Sequence, residues 1–233
     1  MITISNTDIH GIDAAVRAMR NPMNSWALSD STHMVTSLEE YRAGYKVGKN
    51  DLDLMQRLVR SGDDHAKFMR FIVVTCDIIA PMYWWKEFDT YKVGTVRLSC
   101  STMHKIHSKE FTESDFSMEH LITEDRQSVK ERLTYVSPMF TFRAVIEQLN
   151  FYRNLFIKTN DKLYWWQMIQ LLPSSYNQRA TVQLNYQVLR NIYAARKAHK
   201  LDEWRKFCRW IEVLPYSELI TVGRENKKES ELQ

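Results

Sequence analysis

Apolar and polar residues alternate over Met1–Ser5, which predicts an edge strand. Asp8 or Asp13 can cap a short helix running through Met19, and Asn21-Pro22 breaks it. Ser37–Tyr45 and Asp51–Arg60 read as helices. In the second, Leu52, Met55, Leu58 and Val59 form one stripe, and Ser61-Gly62 ends it. Phe68–Ile79 is rich in β-branched residues and reads as a central strand, with Ala80-Pro81 as its stop. Lys109–Leu121 has no clear period. The C-terminal half reads as helical. Val136–Leu155 carries Phe140, Ala144, Ile146 and Leu149, with Phe156 just beyond it and Ser137-Pro138 at its start. Tyr164–Leu171 is stopped by Pro173. Gln178–Lys197 reads as the longest clear helix, with Val182, Leu189, Ile192, Tyr193 and Ala195 inward, and Leu201–Leu214 follows. With no internal repeat and no long linker, residues 1–222 read as a single domain, and residues 223–233 as a charged tail expected to fray. The predicted class is α+β: a modest antiparallel or mixed sheet from the first half, flanked by long helices.

Composition narrows the function classes. The 233 residues are 44% hydrophobic and 12% aromatic, which fits a packed core and not disorder. A net charge of +4, spread along the chain, suits a small anionic ligand and gives no basis for polymeric nucleic acid. The three cysteines, Cys76, Cys100 and Cys208, lack a pairing pattern and point to a reducing cytoplasm. No metal-ligand spacing, signal peptide or membrane span is legible, so no metal and no membrane partner is expected.

Candidate chemistry concentrates in Ile78–His104. After the Ala-Pro stop come Trp84 and Trp85, a charged and aromatic run, and then Ser99, Cys100, Ser101, Thr102, Met103 and His104. That last stretch has neither helical nor strand period. It is rich in hydroxyls and backbone donors, and such a loop after a strand is suited to a phosphate-bearing ligand.

Three ordered stretches resemble the flavin-dependent thymidylate synthases. In Leu54–Phe71, LMQRLVRSGDDHAKFMRF, the residues Gly62, His65 and Phe68 match that family's turn after a helix. In Ala80–Met103, Ala80-Pro81 matches, and Lys86-Glu87 stands at the family's Arg-Gln. Thr90-Tyr91-Lys92 stands at its Arg-His-Arg, and Thr95, Arg97, Cys100, Thr102 and Met103 fall on its Ser, Asn, Ser, Arg and Tyr. Over Leu172–Trp204, the residues Leu172-Pro173, Arg179, Asn185, Asn191 and Arg196 fall in register without a gap.

The resemblance implies a homotetramer that binds FAD and a pyrimidine nucleotide such as dUMP, with NADPH and methylenetetrahydrofolate as co-substrates. It implies cofactor contacts from His65, Thr90, Tyr91, Lys92, Asn185 and Asn191, and substrate contacts from Glu87, Arg97, Ser99, Cys100, Ser101, Thr102 and Arg196. Arg196 would polarise the pyrimidine, while the cofactor carries the covalent chemistry. Thr90 and Thr102 cannot replace the bidentate charge of an arginine, and Ile169 stands where the family has another, so the changes fall on phosphate and cofactor contacts. Two alternatives stay open beside the active methyltransferase: a relative that binds nucleotide without catalysis, and a flavoenzyme acting on a different pyrimidine nucleotide.

Each residue also has a plainer role. Arg196 could be a surface helix residue paired with Asp202 or Glu203. Cys100 could be a nucleophile or a loop cysteine in place of Ser. His65 could face a flavin or be structural. Asn185 and Asn191, weak helix formers, could serve a ligand or a hydrated face. The pairs Trp84-Trp85 and Trp165-Trp166 could stack on a cofactor or fill a core or interface.

Overall fold

The computed structural model describes residues 1–34, 44–123, 126–128 and 133–222. In chain order these give β1 (Thr3–His10), α1 (Ile12–Arg20), β2 (Thr32–Met34), β3 (Gly44–Lys46), α2 (Lys49–Arg60), β4 (Val73–Pro81), α3 (Met82–Phe88) and β5 (Val96–Ser99). There follow β6 (Arg126–Ser128), β7 (Leu133–Tyr135), α4 (Pro138–Thr159), α5 (Lys162–Leu171), β8 (Asn177–Asn185), α6 (Tyr186–Arg196), α7 (Asp202–Glu212) and α8 (Glu218–Thr221). The class is the predicted mixture of helices with an antiparallel sheet. The main sheet has the order β1-β4-β8-β5, while β2 pairs with β3, and β6 with β7.

Two inner strands explain the sheet. In β4 the residues Val74, Cys76, Ile78 and Ala80 are buried in strict alternation, and in β8 Ala180, Val182 and Leu184 repeat the pattern. One face is therefore apolar and covered. On the other face, Asp77 accepts hydrogen bonds from Asn6 Nδ2 at 2.8 Å and Thr181 Oγ1 at 2.6 Å.

Several sequence expectations are corrected. The expected helix over Gln178–Lys197 is a strand followed by a shorter helix. Period two governs Ala180, Val182 and Leu184, and the helical period begins only at Tyr186. The expected strand over Phe68–Ile79 begins at Val73, because Ala66–Phe71 forms a 3-10 turn that buries Ala66, Phe68 and Met69. The first strand extends to His10, and Gly11, at φ +82°, makes the turn into α1. A Cβ at Gly11 would lie 2.1 Å from the Phe71 carbonyl oxygen, so only glycine fits. The expected helix at Ser37–Tyr45 falls mostly outside the described residues, and Tyr45 itself sits in β3. The tail after Val222 also lies outside them.

The chain forms two compact units. The first comprises Met1–Thr3, Ile78–Thr90 and Leu98–Ala180, and the second Ile4–Asp77, Tyr91–Arg97 and Thr181–Gln233. In the first, α4 packs on α5 around Ile106, Phe111, Phe116, Ile146, Leu149 and Met168. Trp84, Trp85 and Phe88 are buried there with edge-on and stacked rings, and Trp85 Nε1 donates to the Gln178 carbonyl at 3.0 Å. That pair belongs to a core. Trp165 packs against the α4–α5 cluster, and Trp166 is exposed.

In the second unit, α6 packs with α7 and α8. A buried ion pair ties α1 to α2: Arg20 Nε and Nη2 each lie 2.6 Å from one oxygen of Asp51. The other oxygen accepts from the Ser29 and Ser31 hydroxyls at 2.6 and 2.5 Å. Arg20 also donates to the carbonyls of Ser25 and Leu28. Burial pushes the Asp51 carboxyl up, but the hydrogen bonds from Ser29, Ser31 and Arg20, with the Arg20 charge, outweigh it and hold the group below its ordinary range.

Asp51→Ala should lose about 3–5 kcal/mol in chemical denaturation, because it strands a buried guanidinium. The folded carboxyl has the lower pKa. Its stabilising contribution is therefore complete above about pH 4 and disappears as pH falls through the folded value. Wild type and variant should converge in stability on acidification; a constant difference would count against the pair.

Candidate functional site

The expected ligand residues fall in two groups, one in each unit. In the second unit, α6 runs from Asn185 to Arg196. Asn185 ends β8 with extended backbone, and its Oδ1 accepts from Val188 N at 3.0 Å, capping the helix. Its Nδ2 lies over Gly94, where an added Cβ would come within 2.8 Å of it; Gly94 has φ +78°. Asn185 and Arg196 are therefore at opposite ends of a helix and not on one face of a longer one. Asn191 is exposed midway along.

Arg196, in the last turn, is half-buried in an aromatic setting. Its guanidinium carbon lies 4.7 Å from the Trp204 ring centre and 5.8 Å from that of Tyr91. Nε donates to Tyr91 Oη at 2.9 Å, and Nη1 lies 3.0 Å from His199 Nε2, which accepts from it. Trp204 is fully buried, so the ring surface under the charge is fixed. Sequence reasoning missed Trp204 and His199. The spacing of three residues from Arg196 to His199 was the available signal, obscured because the chain leaves α6 before His199.

Among the other expected cofactor residues, Lys92 is exposed, as is His65, which precedes the 3-10 turn instead of starting a strand. Arg97, in β5, is half-buried.

In the first unit, Thr90 is exposed and donates through Oγ1 to the Glu87 carbonyl at 2.7 Å, just past α3, and Glu87 is half-buried. Ser99 is the last residue of β5, so the polar stretch begins on a strand. Cys100 continues along β8 through its N–H to the Arg179 carbonyl at 2.9 Å. Gln178 Nε2 donates to the Cys100 carbonyl at 2.7 Å, and Ser101 Oγ accepts from His104 N at 3.0 Å.

The loop is thus held open beside a cleft of about 300 Å³. Cys100, Ser101 and Thr102 line it, as do Lys109, Ser114, Asp115, Tyr176 and Arg179. Lys109 and Asp115 are ion-paired. Burial pushes the Asp115 carboxyl up, but the Lys109 and Thr112 hydrogen bonds more than offset it and leave the group below its usual range. Burial raises the Tyr176 phenol, with smaller contributions from Asp115 and the neighbouring Cys100. Lys109 and Asp115 were missed in the sequence, because Lys109–Leu121 has no period to place them, and Tyr176 was missed because it stands in the turn between Pro173 and β8. Cys76 and Cys208 are buried, with thiols pushed up to about 12 and about 11, which removes both as nucleophiles at neutral pH. Among the described residues, no three His, Cys, Asp or Glu side chains cluster to hold a metal, and no helix is long and apolar enough to cross a membrane.

No family model and no curated protein matches the chain. Solved structures do. Thymidylate synthase X from Helicobacter pylori, solved with FAD and dUMP, superposes with a TM-score of 0.61 at 18% identity, over 95% of this chain and 97% of that one. A second structure of that organism's flavin-dependent thymidylate synthase, also with FAD and dUMP, gives 0.63 at 18% identity, over 94% and 97%. The UMP/dUMP methylase PolB from Streptomyces cacaoi, bound with 5-Br dUMP, gives 0.57 at 14% identity, over 95% of both chains. The chain has the flavin-dependent thymidylate synthase fold. The resemblance seen in three sequence stretches is thus accompanied by a likeness of fold over 94–95% of the chain.

The packing of Gly94 against the Asn185 cap is testable by a double-mutant cycle. Gly94→Ala should cost about 1–2 kcal/mol from the left-handed backbone alone, with more from the contact. Asn185→Ala should cost about 0.5–2 kcal/mol as a lost cap. In the double variant the contact is relieved, so its loss should fall short of the sum of the two; strict additivity would show that the cap and the glycine are not coupled.

Proposed function

We propose that this protein is a flavin-dependent enzyme of the thymidylate synthase X type, transferring a one-carbon unit to a pyrimidine deoxynucleotide such as dUMP. The observation that carries this reading is the setting of Arg196 at the end of α6, within a fold whose solved examples hold FAD and dUMP. A guanidinium fixed over a buried indole and oriented by Tyr91 and His199 is pre-organised for a planar acceptor-bearing ring such as uracil. Its positive charge would withdraw electron density from that ring.

The donor chemistry of the second unit fits a flavin. Asn185 accepts through Oδ1 and Tyr91 through Oη, so the hydrogen-bonding capacity left to Asn185 Nδ2 and to the Tyr91 hydroxyl is donation. Lys92 adds an exposed ammonium. FAD presents acceptors in its diphosphate and ring carbonyls. Asn185, Tyr91 and Lys92 would hold it, joined by His65 and Asn191. When bound and reduced, a flavin supplies hydride, with NADPH and methylenetetrahydrofolate as the proposed co-substrates. The Cys100–Thr102 cleft, joined by Ser99, would take the nucleotide phosphate, with Glu87 and Arg97 as further substrate contacts.

The proposed assembly is a homotetramer. The α4–α5 hairpin leaves Phe140, Phe151, Ile157, Leu163 and Trp166 exposed, an apolar surface of the kind subunit contacts cover. Light scattering at micromolar concentration should give four subunits; a clean monomer would remove the assembly from this reading.

Arg196→Ala is the direct test of function. Loss of a ligand-facing guanidinium should weaken dUMP binding by about 2–5 kcal/mol in calorimetry. Loss of its ring contacts should cost stability only about 0.5–2 kcal/mol. Unchanged dUMP affinity would eliminate Arg196 as the base reader. Purified protein should be yellow or quench added FAD fluorescence. Nucleotide binding with no flavin uptake would favour a relative that has lost catalysis.

A further inference from the structure

Beside the polar cleft, the first unit has a second cavity of about 550 Å³, a volume usual for small-molecule sites. Ile79, Ser114 and Asn177 line both, so the two share a wall. Their linings otherwise differ. The polar cleft presents mostly hydroxyls, amides and charged groups. The second cavity presents Phe116, Leu121 and three methionines, Met1, Met118 and Met139.

Backbone hydrogen bonds frame this cavity. Ser117 N donates to the Ser175 carbonyl at 2.9 Å, Leu121 N to the Met118 carbonyl at 3.0 Å and Met139 N to the Ile122 carbonyl at 3.1 Å. Phe116 is buried and bridges to Tyr176. Its ring meets those of Phe142 and Tyr176 edge-on, with centres 5.2 and 5.7 Å apart. The walls are therefore held by backbone and a ring cluster, while the thioether side chains adapt to what enters. A thioether sulfur packs favourably against an aromatic ring, and a further ring would extend the existing edge-on cluster. An aliphatic occupant would gain burial without these contacts.

The polar part of the lining is specific at one point. Asn177 Oδ1 accepts from Ser117 Oγ at 2.8 Å, which orients the amide and leaves Nδ2 as its donor side. The Ser114 hydroxyl is engaged with that of Thr112 at 2.8 Å, and Glu119 is ion-paired with the Met1 ammonium at 2.7 Å.

We propose that this cavity is a second small-molecule site, for a planar aromatic ring that carries a carbonyl group. The ring lies among the thioethers of Met118 and Met139 beside Phe116, and the carbonyl oxygen accepts from Asn177 Nδ2. Nothing in this arrangement requires a nucleotide in the neighbouring cleft.

Benzamide is the probe. In methyl NMR of the full chain labelled at its methionine methyls, benzamide should shift Met118 and Met139 saturably through its ring current. Met23 and Met55, in the second unit, should not move. Cyclohexanecarboxamide keeps the amide and lacks the aromatic face, and it should bind roughly 3- to 10-fold more weakly. Met118→Leu keeps the side-chain volume and removes a sulfur, so it should narrow that difference. Asn177→Asp keeps the acceptor for Ser117 and puts an oxygen where the donor was, so it should weaken benzamide roughly 10-fold. Absence of a saturable shift, equal affinity for the two carboxamides, or undiminished binding in Asn177→Asp would each overturn the proposal. Shifts of Met118 and Met139 that follow protein concentration and ignore benzamide would show that a second copy of the chain fills the cavity, and would overturn it as well.

Discussion

The alternation of buried residues along β4 and β8 is the constraint on which the rest depends. Each strand buries every second side chain, so a slip of one residue would turn Val182 and Leu184 to the exposed face and bring Thr181 and Gln183 inward. That fixed register determines where β8 stops. At Asn185 the backbone is still extended, its side chain closes the first turn of α6, and the next N–H, of Tyr186, bonds to the Ile72 carbonyl at 3.0 Å. Eleven residues of helix then carry the chain about 16 Å. Arg196 is therefore where it is because β8 ends where it does.

The same junction shows what was legible in the sequence and what was not. A window centred on Asn185 contains strand residues at period two and helix residues at period 3.6, and the apolar positions Val182, Leu189 and Ile192 fit a helix well enough to hide the change. Asn185 was the available signal: a poor helix former placed immediately before a helical stripe is a cap. The helices α2, α4, α5 and α7 were legible from stripes and stops that lie within their own sequence. By contrast α3 was missed, as its seven residues make only about two turns, too few for buried Trp84, Trp85 and Phe88 to establish a period. β5 was missed because Val96 and Leu98 are exposed, so alternation in its sequence does not report burial.

The candidate sites were legible in part for a related reason. The stretch from Ser99 to His104 announced itself by composition, since its six consecutive residues show neither helical nor strand period. Its partners did not. Lys109, Asp115 and Tyr176 reach the cleft through a 3-10 turn and the approach to β8, segments whose geometry is set by the α4–α5 core beside them. Arg196 was singled out from register alone, and the structure gives its setting: a fully buried indole, a phenol and an imidazole that together hold the guanidinium.

The two groups of residues handle charge in opposite ways. Arg196 lies against aromatic faces, where a ring surface lowers the cost of leaving water. In the cleft of the first unit the lysine is matched by a carboxylate, and most of the remaining recognition falls to hydroxyls and amides. Dipoles of that kind fix the orientation of an oxyanion through hydrogen-bond geometry, and they respond to its shape more than to its total charge. A threonine hydroxyl such as that of Thr102 can orient an oxyanion by a hydrogen bond, without the countercharge of a guanidinium fork. In the second unit, Trp204, Tyr91 and His199 hold the Arg196 guanidinium in one orientation.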